Sequence, residues 1–413
     1  MDSARADALA ARSHLDRGGW IPRNSEPFRH LPPPQARLWL GDETAGDCTA
    51  ARLEGGWQLH PVPSTPGVSV EARWLDAADA GQRRELLAGL PLPGDGPAAP
   101  YAWAHRALVR DGLRLRIGGQ ARGNAPVWLR LDRRPGAAVE APLLVIELLP
   151  GARCVLVESH EREPWAANGA ACSHGTVQNL QVHVRLAAGA SLQHLRVALP
   201  GADDHIAHHV AVRLERDAVY EQCLLAGGSR YHLQRLAFDL NGARAAARTA
   251  AVLLAADAAL DQQVQVRHGA PHTRSGVHTL ALGSGTARMV ANAHATIEPG
   301  CDEAQVRQRL AGIPTGGQPK LVLRPHLEIH HDQVQASHGA TWGALPQEAL
   351  FHARQRGLDE PAAKAMILQG LAGAALAGAL GEPGLLDEAG IEQRLALAVQ
   401  RHLAAETKEV RHG

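Results

Sequence analysis

Lysine is almost missing from this sequence: only Lys320, Lys364 and Lys408 stand among the 42 basic residues, the rest being arginine. None of the three lies in a G-x-x-x-x-G-K-S/T loop, which excludes a P-loop and with it ATP hydrolysis by this chain. None has a setting that would desolvate an amine for Schiff-base chemistry. Cysteine is scarce as well. Cys48, Cys154, Cys172, Cys223 and Cys301 are scattered, odd in number and without a C-x-x-C pair, so neither a disulfide framework nor a structural zinc module is expected. Neither sign of charge dominates: 42 basic and 42 acidic residues cancel, and no basic field exists to hold nucleic acid or an anionic membrane. Long apolar runs are missing too. The stretch from Leu371 to Leu380 is too short to cross a bilayer and the N-terminus carries no signal-type apolar segment, so the expected address is the cytoplasm.

What is present is a folded chain of 413 residues with 45% hydrophobic content, enough for a large core and two or three domains. The first hundred residues read as mixed helix and loop, broken by the prolines between Trp20 and Pro34 and by the cluster Pro91 to Pro97. We place the N-terminal region at 1–104. Beyond it the period becomes two, as in half-buried strands, at Leu113–Ile117, Val127–Leu131 and Leu143–Leu149.

A repeat then appears. An apolar residue, two spacers, Gly or Asp, and usually a small residue recur at 148–152, 186–190, 214–218, 254–258, 282–286, 297–301 and 329–333, with a shortened form at Leu240-Asn241-Gly242-Ala243. Several intervals lie near 14 or its double. Each apolar residue would end a strand, Gly or Asp would take a tight corner with positive φ, and the small residue would start the next strand. Stacked units of this kind make a β-solenoid, here spanning 105–342; an ordinary β-sandwich with glycine turns is the competing fold. From Pro346 the period turns helical, giving a C-terminal helical domain at 343–413. Glu348–Arg356 is closed by Gly357, Asp359-Glu360-Pro361 opens a helix to Leu380, and Ile391, Leu395, Val399 and Leu403 form one apolar stripe.

Histidine is abundant, with 23 residues, and imidazole is the usual ligand for borderline metals. Clusters occur at His208-His209, at His268 with His272, and at His326, His330, His331 and His338. By strand parity His326, His330 and His338 could share a face, with His331 opposite. No H-E-x-x-H occurs, since His160-Glu161 lacks the second histidine, and Cys172-Ser173-His174 reads as structural.

The segment from Gln335 to Gly343, Q-A-S-H-G-A-T-W-G, places a histidine and two glycines where the repeat gives way to helix. With the strand Lys320 to Ile329 before it, and Glu348-Ala349-Leu350-Phe351 to Arg356-Gly357 after it, it resembles the SufB/SufD family of scaffold subunits in the SUF iron–sulfur cluster assembly system, and the SufD side of that family in particular. The pattern is an L-E-I strand, an S-H-G-A-T-x-G turn, an E-A-L-F helix start and an R-G stop. It is strong over 260–375, fades back to about 105, and is faint at the N-terminus around Ser25–Leu31.

The resemblance implies a right-handed parallel β-helix flanked by helical regions, acting as a scaffold and not as an enzyme. It implies pairing with a SufB-type subunit through the last strands, a SufC-type ATPase bound by the C-terminal helices, and a transient Fe–S cluster or iron shared at the scaffold interface. ATP hydrolysis would then occur on SufC, whose dimerisation would twist the scaffold pair open. His338 matches the histidine of the family turn and is the implied iron or cluster ligand, with Glu328 and His326 as assisting metal residues. Glu348, Leu350, Phe351, Arg356 and Met366 are the candidate contacts to SufC. Ala336 stands where many relatives carry cysteine, so sulfur ligands would come from the partner. A homodimer in isolation is compatible with this pattern, and the residues neither require nor exclude a reduced flavin. A carbohydrate-active β-helix enzyme, lyase or hydrolase, is the alternative, although it needs clustered acids and a stacking surface from 3% aromatics. A histidine-rich metal buffer is a third option.

Overall fold

A computed structural model describes residues 3–42, 55–61, 66–119, 125–161, 175–380 and 384–409, with side chains of the last helix to residue 404. Cys48, Cys172, Ser173, His174, Gly381 and Pro383 lie outside the described residues. The chain opens with α1 (Ser3–Gly18), α2 (Ala36–Trp39), β1 (Gly56–Leu59), β2 (Val68–Asp76), α3 (Ala80–Leu86) and α4 (Ala99–Leu108). There follow β3 (Asp111–Gly119), β4 (Val127–Arg134), β5 (Val139–Glu140), β6 (Leu143–Leu148), β7 (Arg153–Glu161), β8 (Val177–Leu186), β9 (Ser191–Leu199) and β10 (His205–Leu214). Next come β11 (Val219–Gly227), β12 (Tyr231–Leu240), β13 (Ala246–Ala256), β14 (Ala259–His268), β15 (Arg274–Ser284), β16 (Arg288–Ile297), β17 (Ala304–Pro314), β18 (Lys320–Ile329) and β19 (Val334–Trp342). The chain closes with α5 (Gln347–Gln355), α6 (Glu360–Ala377), α7 (Leu385–Glu388) and α8 (Ile391–Glu409).

From β7 onward successive strands alternate between two sheets, and each pairs in parallel with the strand two places on. One sheet has nine strands, β1-β4-β7-β9-β11-β13-β15-β17-β19; the other has ten, β18-β16-β14-β12-β10-β8-β6-β3-β2. Parallel pairing between alternate strands is the geometry of a parallel β-solenoid and rules out the antiparallel sandwich. Between the sheets lies a column of Leu, Val and Ile side chains, among them Leu156, Leu192, Val210, Leu236 and Val264, all 2% exposed or less. Each such burial contributes about 1.5–3 kcal/mol.

The repeat has a backbone explanation. Gly151, Gly189, Asp217, Asp257, Gly285 and Gly300, six of the residues expected at corners, all have positive φ. Along one edge the N–H of each left-handed corner donates to the carbonyl just before the corner of the next turn: Gly151 to Ala188, Gly189 to Arg216, Asp217 to Ala243, Arg244 to Pro271, His272 to Asp302. The small residue after the corner is sealed beneath it, with Ala152, Ala190, Ala218 and Ala245 all at 0% exposure. Two details differ from expectation. In the shortened unit Arg244, not Gly242, takes the left-handed conformation; Gly242 is needed instead for close approach, because a Cβ there would lie 1.9 Å from the backbone nitrogen of Arg216. Asp332 is not left-handed, the matching bond running from Glu303 N–H to the carbonyl of Gln333.

The two outer faces are covered by helices. α4 and α2 pack on β8 of the ten-stranded sheet, around Phe28, Trp39, Tyr101 and Tyr231. α6 and α8 pack on β13 of the other sheet, and Ile391, Leu395 and Val399 bury their stripe against Val157, Leu195 and Val252. α6 is capped by Asp359, whose side chain accepts from the Ala362 N–H at 2.8 Å. It ends at Ala377, before the Leu380 read from the apolar run, because the last residues tighten into three-residue turns from Ala379 to Leu376 and from Leu380 to Ala377. β1 and β2, in a stretch read as helix and loop, are strands that pair antiparallel with β4 and β3. They cap the first turn of the solenoid, a tertiary contact that local periodicity does not carry.

Candidate functional site

The last turn is built differently from the rest. β18 ends the ten-stranded order and β19 ends the nine-stranded order, so each has a parallel neighbour on one side only. β19 is exposed along most of its length, and Ile329 and Trp342 are large apolar side chains left 44% and 62% exposed. This end of the solenoid therefore presents two unpaired strand edges side by side, the feature that sheet proteins ordinarily cover.

His338 sits in the middle of β19, opposite Gln308 of β17. Paired residues of parallel strands point the same way, and Gln308 is buried in the interior, so His338 occupies the interior face of the open turn. The Gln308 amide nitrogen donates to the backbone carbonyl of His326 at 3.2 Å, crossing from one sheet to the other. Gly339 beside His338 has nothing within 4 Å of where a Cβ would stand, so the outer face of the strand at this point is also clear.

His326 and Glu328 lie on β18 with the opposite orientation. Leu323 and Leu327 point to the core, which turns Arg324, His326 and Glu328 outward. There Glu328 faces two imidazoles, His330 at 2.9 Å and His294 at 3.4 Å, and the rings of His294 and His326 meet edge to face at 4.6 Å. The hydrogen bond from His330, then that from His294, holds the Glu328 carboxyl below its usual range. Burial, followed by the charge of His326, lowers His294. The structure thus brings Glu328, His326 and His330 together and sets His338 apart on the other sheet, because a corner intervenes between residues 329 and 334. Among the described residues no group of three or more His, Cys, Asp or Glu is arranged to hold a metal ion.

The candidate partner contacts follow directly. Glu348, Phe351, Arg356 and Met366 are exposed on α5, its C-terminus and α6, Phe351 at 58% and Met366 at 51%, while Leu350 is half-buried against the core beneath. Glu348 and His352 form an i,i+4 ion pair at 3.8 Å on the same helix.

Sequence reasoning missed a second polar centre, inside the other end of the solenoid. Glu158, His160, His194, Arg196, His208, His232 and Gln234 are all buried between the sheets. Glu158 accepts from His160 at 2.5 Å and from His194 at 2.7 Å, and Arg196 lies 3.5 Å away. Burial alone would raise the Glu158 carboxyl, but the Arg196 charge and the two imidazole hydrogen bonds outweigh it and hold it well below its usual range. The signal was available in the repeat: Glu158 and Arg196 each stand seven residues past their corner glycines, Gly151 and Gly189, at positions paired in register.

Comparison with known proteins bears on the whole of this architecture. The chain is 27% identical to the iron–sulfur cluster assembly protein SufD of Escherichia coli (strain K12) over 216 residues, 51% of each chain, so it spans about half the length of that relative. A family model described as "SUF system FeS cluster assembly, SufBD core domain" matches residues 132–371, from the end of β4 through the later turns of the solenoid and its open turn into α6. This chain, with its parallel solenoid and its histidine-bearing last strand, belongs to the SufBD core family of SUF iron–sulfur cluster assembly proteins.

Proposed function

We propose that this protein is a non-catalytic scaffold subunit of SUF cluster assembly that pairs through β18 and β19 with a SufB-type subunit and carries a SufC-type ATPase on α5 and α6. The observation that carries the reading is the open last turn. Two adjacent strands lack outer neighbours, and apolar Ile329 and Trp342 are exposed at their ends, a surface suited to continuation by strands of another subunit. An iron–sulfur cluster is here cargo, held in passing at the joined edges. His338 is the residue of this chain that would meet it, since its imidazole sits on the open turn and binds iron as a neutral donor. Ala336 offers no thiolate, and Glu328 with His326 faces outward, so the remaining ligands would come from the partner.

The missing P-loop fits a division of labour in which the ATPase is a separate subunit. Phe351 and Met366, two exposed apolar side chains on consecutive helices, with Glu348 and Arg356 at the rim, are suited to its docking. No described helix is long and apolar enough to cross a membrane, which is compatible with a cytoplasmic complex. The test is affinity purification of the full chain from its host. Recovery of a SufB-type subunit and an ATPase, with loss of only the ATPase in Phe351→Ser/Met366→Ser, is the expected result. Recovery of the chain alone, or of a homodimer that excludes both partners, would overturn it.

A further inference from the structure

The buried centre around Glu158 has unmade hydrogen bonds whose directions can be deduced. Arg196 Nη1 donates to Gln234 Oε1 at 3.2 Å, which fixes the orientation of that amide. Gln234 Nε2 then donates to His232 Nε2 at 2.7 Å and to His208 Nδ1 at 3.1 Å. His232 is anchored by its Nδ1–H to the Gly227 carbonyl at 2.6 Å. A neutral His208 that accepts at Nδ1 must carry its proton on Nε2, and that N–H has no acceptor among the described residues. His160 gives its Nε2–H to Glu158, which leaves its Nδ1 as a lone pair without a donor. Arg196, with a side chain at 0% exposure, has no hydrogen-bond acceptor for Nε or Nη2 among the described residues.

Three donor atoms and one acceptor are therefore left open within one network. His160 and His208 line a cleft with Arg133, Gln178, Asp204 and Ile206, and their rings stand 4.7 Å apart. A water molecule cannot balance this set, because it has two acceptor positions for three donor atoms, two of them on a charged group. A fully buried guanidinium whose only carboxylate is already occupied by two imidazoles calls for a negative acceptor.

We propose that this cluster binds one small monovalent anion against Arg196 and His208, and that the anion enters together with a proton that settles on His160 Nδ1. Charge requires the second half. Glu158 and Arg196 cancel, so an added anion would stand uncompensated in a dry interior. The other groups around it are a poor home for the proton: His194 Nδ1 accepts from the Tyr220 hydroxyl, and both accepting nitrogens of His208 and His232 are filled by Gln234. Arg133, Glu161 and Asp204 are the other charged groups at the cleft wall. His160 is held to Glu158 by its other nitrogen, an arrangement that stabilises the imidazolium. Proton transfer from solvent to Nδ1 forms one N–H bond and leaves the anion unchanged.

The experiment uses the full chain and bromide. Crystals grown or soaked in bromide should show an anomalous peak in this cleft at His208, and halide binding followed by chloride-35 line broadening should weaken by about tenfold for each pH unit gained, one proton per anion. Arg196→Gln and His160→Phe should each abolish the signal; should either variant fail to fold, the diffraction measurement on the unaltered chain still decides. Ordered water alone in the cleft at saturating bromide would overturn the site, and halide binding flat with pH would overturn the proton.

Discussion

Gln308 ties the two open edges of the solenoid to each other: it lies opposite His338 in strand register and donates its amide nitrogen to the carbonyl of His326 on the other sheet at 3.2 Å. Replacing it by leucine keeps the volume and removes the tie. Gln308→Leu should cost about 1 kcal/mol in urea unfolding. It should also raise amide hydrogen exchange in β18 selectively, since that strand has a sheet neighbour on only one side. Unchanged exchange in β18 would mean the bond contributes nothing to the order of the end turn.

The His338 side chain is exposed and takes part in no hydrogen bond or ion pair among the described residues. Truncation of such a residue moves stability by about 0.5 kcal/mol or less. His338→Ala is therefore expected to melt with the parent chain, yet the complex it forms should accumulate no iron and sulfide. Normal iron and sulfide content in the mutant complex would remove His338 from the site.

The corner glycines separate two costs. At Gly189, with φ of 68°, a Cβ would find only the Gly151 backbone at 4.0 Å, so Gly189→Ala bears the left-handed penalty alone, about 1–2 kcal/mol. At Gly317, with φ of 64°, the Cβ would stand 2.6 Å from the Gly285 Cα, and backbone cannot yield as a side chain can. Gly317→Ala should lose that penalty plus a further 1–3 kcal/mol, roughly, from overpacking. Equal urea midpoints for the two variants would show that the stacked corners are looser than this.

Acid should destabilise the chain early. Burial lowers His105 to about 3, and His183, His232, His268 and His402 to about 4. Above the unfolded value near 6.5 both states are neutral; below it only the unfolded chain takes the protons, so stability falls as pH drops from about 6.5 towards 4. Each such imidazole contributes a slope of about 1.4 kcal/mol per pH unit. Asp261, raised to about 7 by burial, has the opposite sign and offsets one of them, because the folded chain keeps its proton while the unfolded chain has released it. The melting temperature should be level between pH 7 and 8 and fall steeply below pH 6.5; a level curve down to pH 5 would contradict this.

How much of this was readable in the sequence depends on where the signal is local. The corners were legible where a left-handed turn takes the residues that adopt it most readily, Gly or Asp, followed by something small, and Gly151-Ala152, Gly189-Ala190 and Asp217-Ala218 state both in adjacent letters; the corners at Arg244 and His272 carry no such signal. The segment of His338, read as a turn, is instead the last strand of the solenoid, held in register by β17. The split between His338 and the His326–Glu328 pair was not legible, because parity counts only within one strand and a corner resets it. The Glu158 centre was hidden by distance: Glu158 meets His194 across one sheet and, through Arg196 and Gln234, His208 across the interior, contacts 26 to 38 residues distant in the chain. β1 and β2 were missed because an antiparallel cap takes its reason from the strand it covers.

The antiparallel cap makes the two ends of the solenoid unlike: one ends in strands that run against their neighbours, the other in strands that run with them. A strand laid on the last turn can continue the parallel ladders of β16 with β18 and β17 with β19, whereas one laid on the first turn meets strands of reversed direction. The two ends of the solenoid therefore differ in the strand direction they offer to a neighbour.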